Sequence, residues 1–582
     1  MLSAVLEDEL AARVVAAVRA AYDVELTLEQ ALIRPSSPER GADYQSNVAM
    51  GLAKRLSRPS REVAEAIREH LEIGDIAEEP EVAGPGFLNF RLRRDFLETR
   101  LVEIAGDERL GIPRAKQSER VVVEYSSPNA AKEMHVGHLR STIIGDALVR
   151  LLGFYGYEVI RQNHLGDWGT PFGMLIEHAI DTFGGLDKEI HIEDLNVFYQ
   201  EARAKFDADP KFADRSRRRV VLLQGGDEAT VRLWRKFVHE SLRHFKEVYD
   251  LLGVCLTEDD IRGESFYNDR LQAVVDDLRA AGLAQLSDGA WCVFPEGFTG
   301  RDGAPVPVMV QKSDGGYTYD TTDLAAIRYR VDELKVDRCY YVVGAPQKLH
   351  FDLIFATARA AGWLPEHIVF QHVPFGSVLG EDGKMLRTRK GAAVRLLDLL
   401  GEGVDRAREL VADREDLDDA EREHIARAVG IGAVKYADLS SDREKDYVFA
   451  WDRMLAMDGN TGVYMQYANA RIRSILRRAG EDAPGEKIAP IRIEHPAERA
   501  LALKLLQTPE VFVATVDALQ PHRLCRHLYE LATAFSGFYE SCPVLAAETP
   551  ELKQSRLELC RLTSRTLTLG LDLLGIESPE RL

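Results

Sequence analysis

The sequence predicts an α/β multidomain protein: a Rossmann-like parallel-sheet domain with a helical insertion, a small α+β domain before it and an all-α bundle after it. Three observations predict this. The β-branched run at 121–125 (VVVEY) opens an alternation of apolar strands and helical stretches, the signature of a parallel sheet with helices on its faces. Residues 171–252 read as helix almost throughout and interrupt that alternation. From about 393 onward only helical periodicity is left, with no convincing strand.

Taken in order, Val5, Leu10, Val14 and Val18 place a helix at 4–20, and further helices fall near 47–56 and 61–72. The turn Gly84-Pro85-Gly86 introduces a strand at 87–92, and Gly111-Ile112-Pro113 closes this first unit near 115. Strands follow at 121–125, 158–163, 291–294, 307–311, 338–343 and 368–373, with helices at 139–154, 320–331 and 349–361 among them. The bundle helices are 393–411, 419–438, 458–478, 497–507, 521–540 and 551–574. The expected domains are 1–115, 116–392 with the insertion at about 171–252, a helical stem at 393–455, and 456–582.

Composition sets the limits. With 582 residues, 45% apolar and 29% charged, the chain is an ordinary globular mix, which excludes disorder and collagen-like structure. No apolar run reaches the ~18 residues of a membrane span. Glu7, Asp8 and Glu9 precede any basic residue, the wrong charge order for a signal or transit peptide. The six cysteines are scattered without a C-x-x-C, so neither a disulfide framework nor structural zinc is expected, and a cytoplasmic location is. The net charge of −20 means that any nucleic-acid site must be a local basic patch on an acidic body.

The strongest chemical feature is Pro128-Asn129-Ala130-Ala131-Lys132-Glu133-Met134-His135-Val136-Gly137-His138, between a strand and a helix. A strand's carboxyl end meeting a helix N-terminus favours phosphate, and Gly137 lets a ligand approach the backbone. His135 and His138, three apart, share one face of the opening turn. They can donate to phosphate oxygens as charge builds there; equally, they can simply cap the helix. No G-x-x-x-x-G-K-[ST] is present, which excludes a P-loop. The string His239-Glu240-Ser241-Leu242-Arg243-His244 imitates a zinc-protease motif, but its histidines are five apart and fall on different helix faces.

His-Val-Gly-His after a strand resembles the "HIGH" signature of class I aminoacyl-tRNA synthetases. The wider string SSPNAAKEMHVGHLRSTIIGDAL resembles arginyl-tRNA synthetases specifically, as do Asn163-His164-Leu165-Gly166-Asp167-Trp168-Gly169, Gly84-Pro85-Gly86-Phe87-Leu88-Asn89, Tyr317-Thr318-Tyr319-Asp320-Thr321-Thr322-Asp323, Gly459-Asn460-Thr461-Gly462 and Pro579-Glu580-Arg581. These strings span nearly the whole chain in the family's order. The resemblance implies a ligase that activates arginine with ATP and Mg²⁺ and passes it to tRNA(Arg). Its partners would be arginine, ATP and tRNA, without membrane or DNA, and it would act as a monomer.

The resemblance also implies roles. His135, His138, Lys132, Lys384 and Arg387 would be catalytic. The second signature, "KMSK", corresponds to Gly383-Lys384-Met385-Leu386-Arg387-Thr388-Arg389-Lys390-Gly391, where Arg387 stands at the second-lysine position and Lys132 would compensate. Without the other strings, 384–391 reads as a solvated basic loop. ATP would meet Pro128, Asn129, Val136, Gly137, His164, Gly166, Asp167 and Met385. Arginine would meet Glu124, Ser126, Asn129, Tyr319, Asp323 and Gln347, since carboxylates match its planar fork; taken alone, Tyr319 reads as core packing. A site that satisfies a guanidinium rejects side chains that leave its carboxylates unpaired, so no editing domain is expected.

For tRNA the expected contacts are Phe87 and Asn89, then Tyr464, Tyr467 and Arg471 ahead of Arg473, Arg477 and Arg478, aromatics beside a basic stripe. Phe87 could be plain core and the arginines a solvated face. Arg215-Ser216-Arg217-Arg218-Arg219 could meet the acceptor arm, and Leu582 replaces the family's usual terminal methionine. Two competing functions are a nucleotidyl transferase without tRNA, which the bundle opposes, and an inactive tRNA-binding paralogue, which the altered Arg387 loop would permit.

Overall fold

The computed structural model describes residues 5–36, 41–185, 195–387, 393–414, 416–480 and 488–582, which divide into two compact units. The larger comprises 115–456 with 573–577; the other comprises 1–114, 457–572 and 578–582.

The larger unit is built on a four-stranded parallel sheet in the order Val369–Phe375, Arg338–Gly344, Arg120–Glu124, Glu158–Gln162. Val121, Val122 and Val123 are wholly buried, which is why this strand reads as a continuous apolar run. The crossover to Glu158–Gln162 is the helix Val136–Tyr155, which ends on Gly156 in the left-handed conformation. The insertion is helical: Thr170–Phe183, Leu195–Ala208, Pro210–Gln224 and Glu228–Leu252.

Two readings need correction. The segments near 291–294 and 307–311 are not members of the parallel sheet. They are Ala290–Val293 and Val308–Gln311 of a separate antiparallel sheet, completed by Ala284–Ser287. The connection from 287 to 290 is a tight hairpin, and a parallel crossover needs a dozen residues or more. The bundle region also holds one short strand, Tyr447–Val448, paired in parallel with Val378–Leu379. A two-residue ladder is too short to leave a periodicity.

The helix predicted at 320–331 is Tyr319–Arg328, continuing as a single wide turn, Tyr329–Glu333. Such turns redirect side chains, and here Arg330 enters the core.

The other unit contains an antiparallel sheet in the order Ile33–Pro35, Tyr44–Ser46, Phe87–Phe90, Glu81–Ala83, with helices Leu6–Tyr22, Val48–Leu56, Ser60–Glu69 and Arg94–Gly106. The helices Gly462–Ala479, Pro496–Ala518, Pro521–Ser541 and Pro550–Leu573 belong to the same unit. Arg499 pairs with Asp43 at 2.5 Å, and Tyr44 donates to Glu510 at 3.0 Å, so N- and C-terminal parts interlock. The helix expected at 497–507 runs on to Ala518 with Pro509 inside it.

Candidate active site

Strands Arg120–Glu124 and Arg338–Gly344 lie side by side, and the chain leaves them toward opposite edges of the sheet. Their carboxyl ends therefore border the crevice where parallel sheets take their ligands. Glu124 ends the first strand, buried, and accepts a hydrogen bond from Arg330, itself wholly buried. Arg330 also donates to Gln162 Oε1 at 2.7 Å and lies over the Tyr341 ring at 4.9 Å. Glu124 was expected to meet a substrate cation; the structure already gives it an internal one.

The next loop is strained. Ser126, Ser127 and Ala131 have φ of +69°, +47° and +117° without being glycine, at a cost of order 1 kcal/mol or more each. Surrounding hydrogen bonds impose it. Ser126 N donates to Ser141 Oγ at 2.9 Å, Ser126 Oγ contacts Tyr249 Oη at 2.8 Å, and Ser127 N donates to Asn163 Oδ1 at 3.0 Å. Ala131 N donates to Ser241 Oγ at 3.1 Å, so the insertion helix Glu228–Leu252 helps to shape this loop.

The loop brings together the predicted ATP residues. Gly166 N donates to Pro128 O at 3.2 Å and Ala130 N to Gly166 O at 3.1 Å. A side chain on Gly166 would sit 2.2 Å from Asn129 Oδ1 and would displace the exposed Asn129 amide. Asp167 departs from its expected place. It is buried, and its carboxylate accepts from Ser265 N at 2.9 Å and Ser265 Oγ at 2.6 Å. Burial raises its pKa despite the Ser265 bonds.

His135 and His138 open the helix Val136–Tyr155 as a reciprocal cap. Gly137 N donates to His135 Nδ1 at 3.0 Å, and His135 N donates to His138 Nδ1 at 3.1 Å. Capping and phosphate binding are thus one arrangement. With both Nδ1 atoms accepting, each neutral ring carries its proton on Nε2. Burial lowers the pKa of both rings. His138, further opposed by His135, falls to about 3, and Lys132 adds to the effect on His135. The rings are neutral donors at neutral pH, with centroids 4.1 Å apart. A Cβ on Gly137 would press on the His135 ring at 2.7 Å. Val136 is buried beneath them. The Lys132 ammonium lies 4.9 Å over the Tyr199 ring.

Lys384, Met385 and Arg387 are exposed. Thr388-Arg389-Lys390-Gly391 of the predicted loop lies outside the described residues. Past it, the chain zips onto the histidine segment. Val136 N donates to Val394 O and Leu396 N to Met134 O, both at 2.9 Å, and Arg395 pairs with Glu133 at 2.6 Å. The segment that follows the second signature therefore shares backbone hydrogen bonds with the first.

The helix Tyr319–Arg328 presents Tyr319, Asp320 and Asp323. Tyr319 is 65% exposed, which removes the core alternative. Gln347 is exposed in the turn after Arg338–Gly344. Asp323 Oδ1 is 3.9 Å from His164 Nε2. Ser126 is buried, its hydroxyl shared with Tyr249 and Thr142.

Three residues escaped sequence reasoning: Arg330, His350 and Glu264. His350 Nε2 lies 2.7 Å from Asp323 Oδ2. Glu264 has no ion-pair partner among the described residues. Burial first, then Asp167 and Asp323, push its pKa up to about 8. At neutral pH it is largely protonated, and a cation bound beside it would favour loss of that proton. The only sequence signal was an acidic residue in IRGES immediately after the insertion.

The predicted tRNA residues lie in the other unit. Phe87 is half-buried; Asn89 is buried and accepts from Gln45 Nε2 at 2.7 Å. Tyr464 packs edge-on to Tyr529, and Tyr467 is exposed. The Arg471 guanidinium lies 4.5 Å over the Tyr539 ring. Arg473 and Arg477 are spent on Glu580, at 3.5 Å to its carboxylate and 3.3 Å to its carbonyl. In the insertion, Arg215 pairs with Asp181 and Glu177, Arg217 with Asp214, and Arg219 with Glu177.

A parallel sheet whose switch point carries a histidine-capped helix, with a helical bundle following in the chain, defines a class I aminoacyl-tRNA synthetase. The comparisons agree. The model for the class I (R) tRNA synthetase catalytic domain matches 101–451, the DALR anticodon binding domain 465–582, and the arginyl tRNA synthetase N terminal domain 8–92. The arginine–tRNA ligase of Thermobifida fusca is 55% identical, over 98% of this chain and 99% of its own; that of Frankia casuarinae is 53% identical, over 94% of each. The crystal structure of Plasmodium falciparum arginyl-tRNA synthetase superposes with a TM-score of 0.84 at 30% identity, covering 99% of both chains. That of Thermus thermophilus gives 0.80 at 26%, covering 99% of this chain and all of that one. The chain belongs to the arginyl-tRNA synthetase family, and its activity is arginine–tRNA ligation.

Proposed function

We propose that the crevice of the larger unit performs arginine activation with the following roles. The observation that carries them is the reciprocal histidine cap, which occupies both Nδ1 atoms, leaves the Nε2–H groups as donors beside the strand ends and is joined by backbone hydrogen bonds to the 394–396 segment.

ATP enters as its magnesium complex against Pro128, Asn129, Val136, Gly137, His164, Gly166 and Met385; Asp167 supports this floor through Ser265. Arginine lies with its guanidinium toward Asp323 and Glu264, edged by Tyr319 and Gln347. Its α-ammonium faces Asn129, the Ser126 loop and the oxygen of Glu124 that Arg330 leaves free. A carboxylate oxygen of arginine attacks the α-phosphorus, the bond to the bridging oxygen breaks, and pyrophosphate leaves with the electron pair. His135, His138, Lys384 and Arg387 stabilise the charge that develops, with Lys132 as auxiliary. A hydroxyl of the tRNA's terminal ribose then attacks the arginyl carbonyl and AMP leaves. The chain itself forms no covalent intermediate; it contributes position and field.

tRNA(Arg) is read by Tyr464, Tyr467 and Arg471 and held by Phe87 and Asn89. The working domains are 1–115, 116–392, 393–455 and 456–582, in a cytoplasmic monomer. Among the described residues no helix is long and apolar enough to cross a membrane.

The test is arginine-dependent ATP–pyrophosphate exchange with and without tRNA(Arg). Exchange that requires tRNA supports these roles together with coupling between anticodon reading and activation. Exchange without tRNA keeps the site and removes the coupling. Binding of tRNA without exchange under either condition refutes the roles and points to Arg387.

A further inference from the structure

Asp323 is already engaged when arginine arrives. His350 stands on the first turn of the helix Lys348–Ala360, three residues past Gln347, wedged against the helix Tyr319–Arg328. Its Nε2 is 2.7 Å from Asp323 Oδ2 and its Nδ1 is 3.4 Å from Asp320 Oδ1. The two carboxylates are three residues apart, one turn of a helix face, so one ring spans both. Asp320 is anchored in turn by Met309 N at 3.1 Å. The imidazole packs between the Tyr319 and Phe351 rings, each centroid 5.2 Å away. This leaves Asp323 Oδ1 as the outward oxygen, 3.9 Å from His164.

We infer that His350 is the positioning residue of the arginine site: it holds Asp323 in one rotamer through Oδ2, delivers Oδ1 to the guanidinium, and by gaining or losing its own proton sets how strongly the site attracts a cation. The inference rests on Asp323 being the guanidinium's partner.

The electrostatic surroundings are few. Asp320 and Asp323 face the ring from one helix. On its own helix, Lys348 and Asp352 are paired with each other at 2.7 Å. His372, from Val369–Phe375, touches Phe351 and donates from Nε2 to Val343 O at 2.8 Å. The strand Val308–Gln311 brings no charge, only the Met309 amide. Beyond Asp323 lie His164 and Glu264. Burial disfavours a charged His350, but its bonds to Asp320 and Asp323 outweigh burial and raise its pKa to about 9.

At neutral pH the site thus holds a cation where a second cation must bind. Loss of the Nδ1 proton keeps the Nε2–H bond to Asp323 and removes the repulsion. Binding of arginine and release of that proton are linked, so arginine binds more tightly as pH rises toward the pKa of the ring. Glutamine keeps a donor near Nε2 but carries no charge at any pH, so H350Q separates the two parts of the inference and cancels the titrations of arginine itself, His164, His372 and Glu264.

The experiment measures KM for arginine and kcat of aminoacylation between pH 7 and 9 for wild type, H350Q, H350A and D323N. H350A should raise KM about tenfold or more with kcat within about threefold, as loss of a placed hydrogen bond at a charged partner does. H350Q should recover most of that loss. Relative to H350Q, wild-type KM should fall roughly three- to tenfold from pH 7 to 9. The inference is overturned if H350A leaves KM within twofold, if H350A and H350Q lower kcat alike at constant KM, or if wild type and H350Q share one pH profile. Should H350A unfold, H350Q decides through its pH profile. D323N keeps the two layers apart: an unchanged KM in D323N sinks the arginine reading itself, whereas a raised KM in D323N with an inert H350A sinks only the positioning role.

Discussion

Glu124 and Glu264 serve the same crevice and are treated in opposite ways. Glu124 is buried against a wholly buried arginine, Arg330, which Gln162 and the Tyr341 ring also hold. Glu264 is largely withdrawn from water beside two further carboxylates, Asp167 and Asp323, with no cation in ion-pair reach among the described residues. Glu124 keeps its charge through an internal partner and has one oxygen left for a ligand. Glu264 lacks such a partner among the described residues, so burial favours its protonated form and only a bound cation would favour its charge. The same distinction separates the crevice from the insertion. Lys384 and Arg387 are exposed with no ion-pair partner among the described residues, while Arg215, Arg217 and Arg219 are absorbed by Asp181, Asp214 and Glu177.

The largest effect should come from breaking the satisfied pair. Arg330→Met strands Glu124 in the core and should cost about 3–5 kcal/mol of stability, read as a lower thermal midpoint and a lower urea midpoint. Adding E124Q to R330M should restore part of it, since the cost lies in the unpaired charge rather than in the lost contact. A double variant no more stable than R330M alone would place the cost in packing around Tyr341 instead, and Glu124 would lose its role as the example of a satisfied charge.

Next comes Lys384. It has no ion-pair partner to lose among the described residues, so K384A should leave the thermal midpoint unchanged while lowering pyrophosphate exchange by about 10²–10³, the usual effect of deleting a donor to developing charge. Arg387→Ala should cost less, about tenfold, because a planar guanidinium at that place is a poorer point charge than the ammonium it replaces. Equal losses in the two variants would contradict this ranking.

Glu264→Gln should raise KM for arginine by about 10–100-fold, the range of a lost charge-assisted hydrogen bond, and it should stabilise the free protein at high pH. The sign follows from linkage. With a folded pKa of about 8 against the ordinary 4.5, Glu264 binds its proton more tightly in the folded chain. Its contribution is whole below pH 4.5 and is lost as pH rises through 8. E264Q should therefore melt above wild type at pH 8.5 and level with it near pH 4.5. Saturating arginine should close the gap at pH 8.5 by raising the wild type more. A gap that persisted under arginine would mean that Glu264 does not meet the substrate.

What was legible in the sequence follows the same physics. The histidine pair and the strand run at 121–124 are local patterns, in which residue spacing alone determines proximity. Arg330 reaches Glu124 across 206 positions, and only through a wide helical turn that periodicity does not reveal. His350 meets Asp323 across 27 positions and two elements. Glu264 carries no pattern at all, because what marks it is the lack of an ion-pair partner among the described residues. The strands 290–293 and 308–311 were visible as strands but assigned to the wrong sheet, since apolar content does not encode pairing direction. The helix expected at 497–507 instead runs from Pro496 through Pro509 to Ala518 inside a packed bundle, where tertiary contacts outweigh the lost hydrogen bond.

The smallest effect is the sharpest test of the comparison. Arg217 belongs to a run of arginines that, by sequence alone, could grip the acceptor arm. In the structure it pairs with Asp214 one helical turn away, both side chains 62% exposed, and an exposed pair of this kind contributes about 0–1 kcal/mol. If paired charges are architecture, R217A should move the thermal midpoint by no more than about 1 °C and the KM for tRNA by less than about twofold. Its salt dependence should match that of wild type. A protein that binds a phosphate through Arg217 must first release Asp214, and it would then show a weaker salt slope for tRNA in R217A, about one counterion fewer. That outcome would move Arg217 from the satisfied class to the reserved one, and would show that an exposed partner, unlike the buried Arg330, does not remove a charge from service.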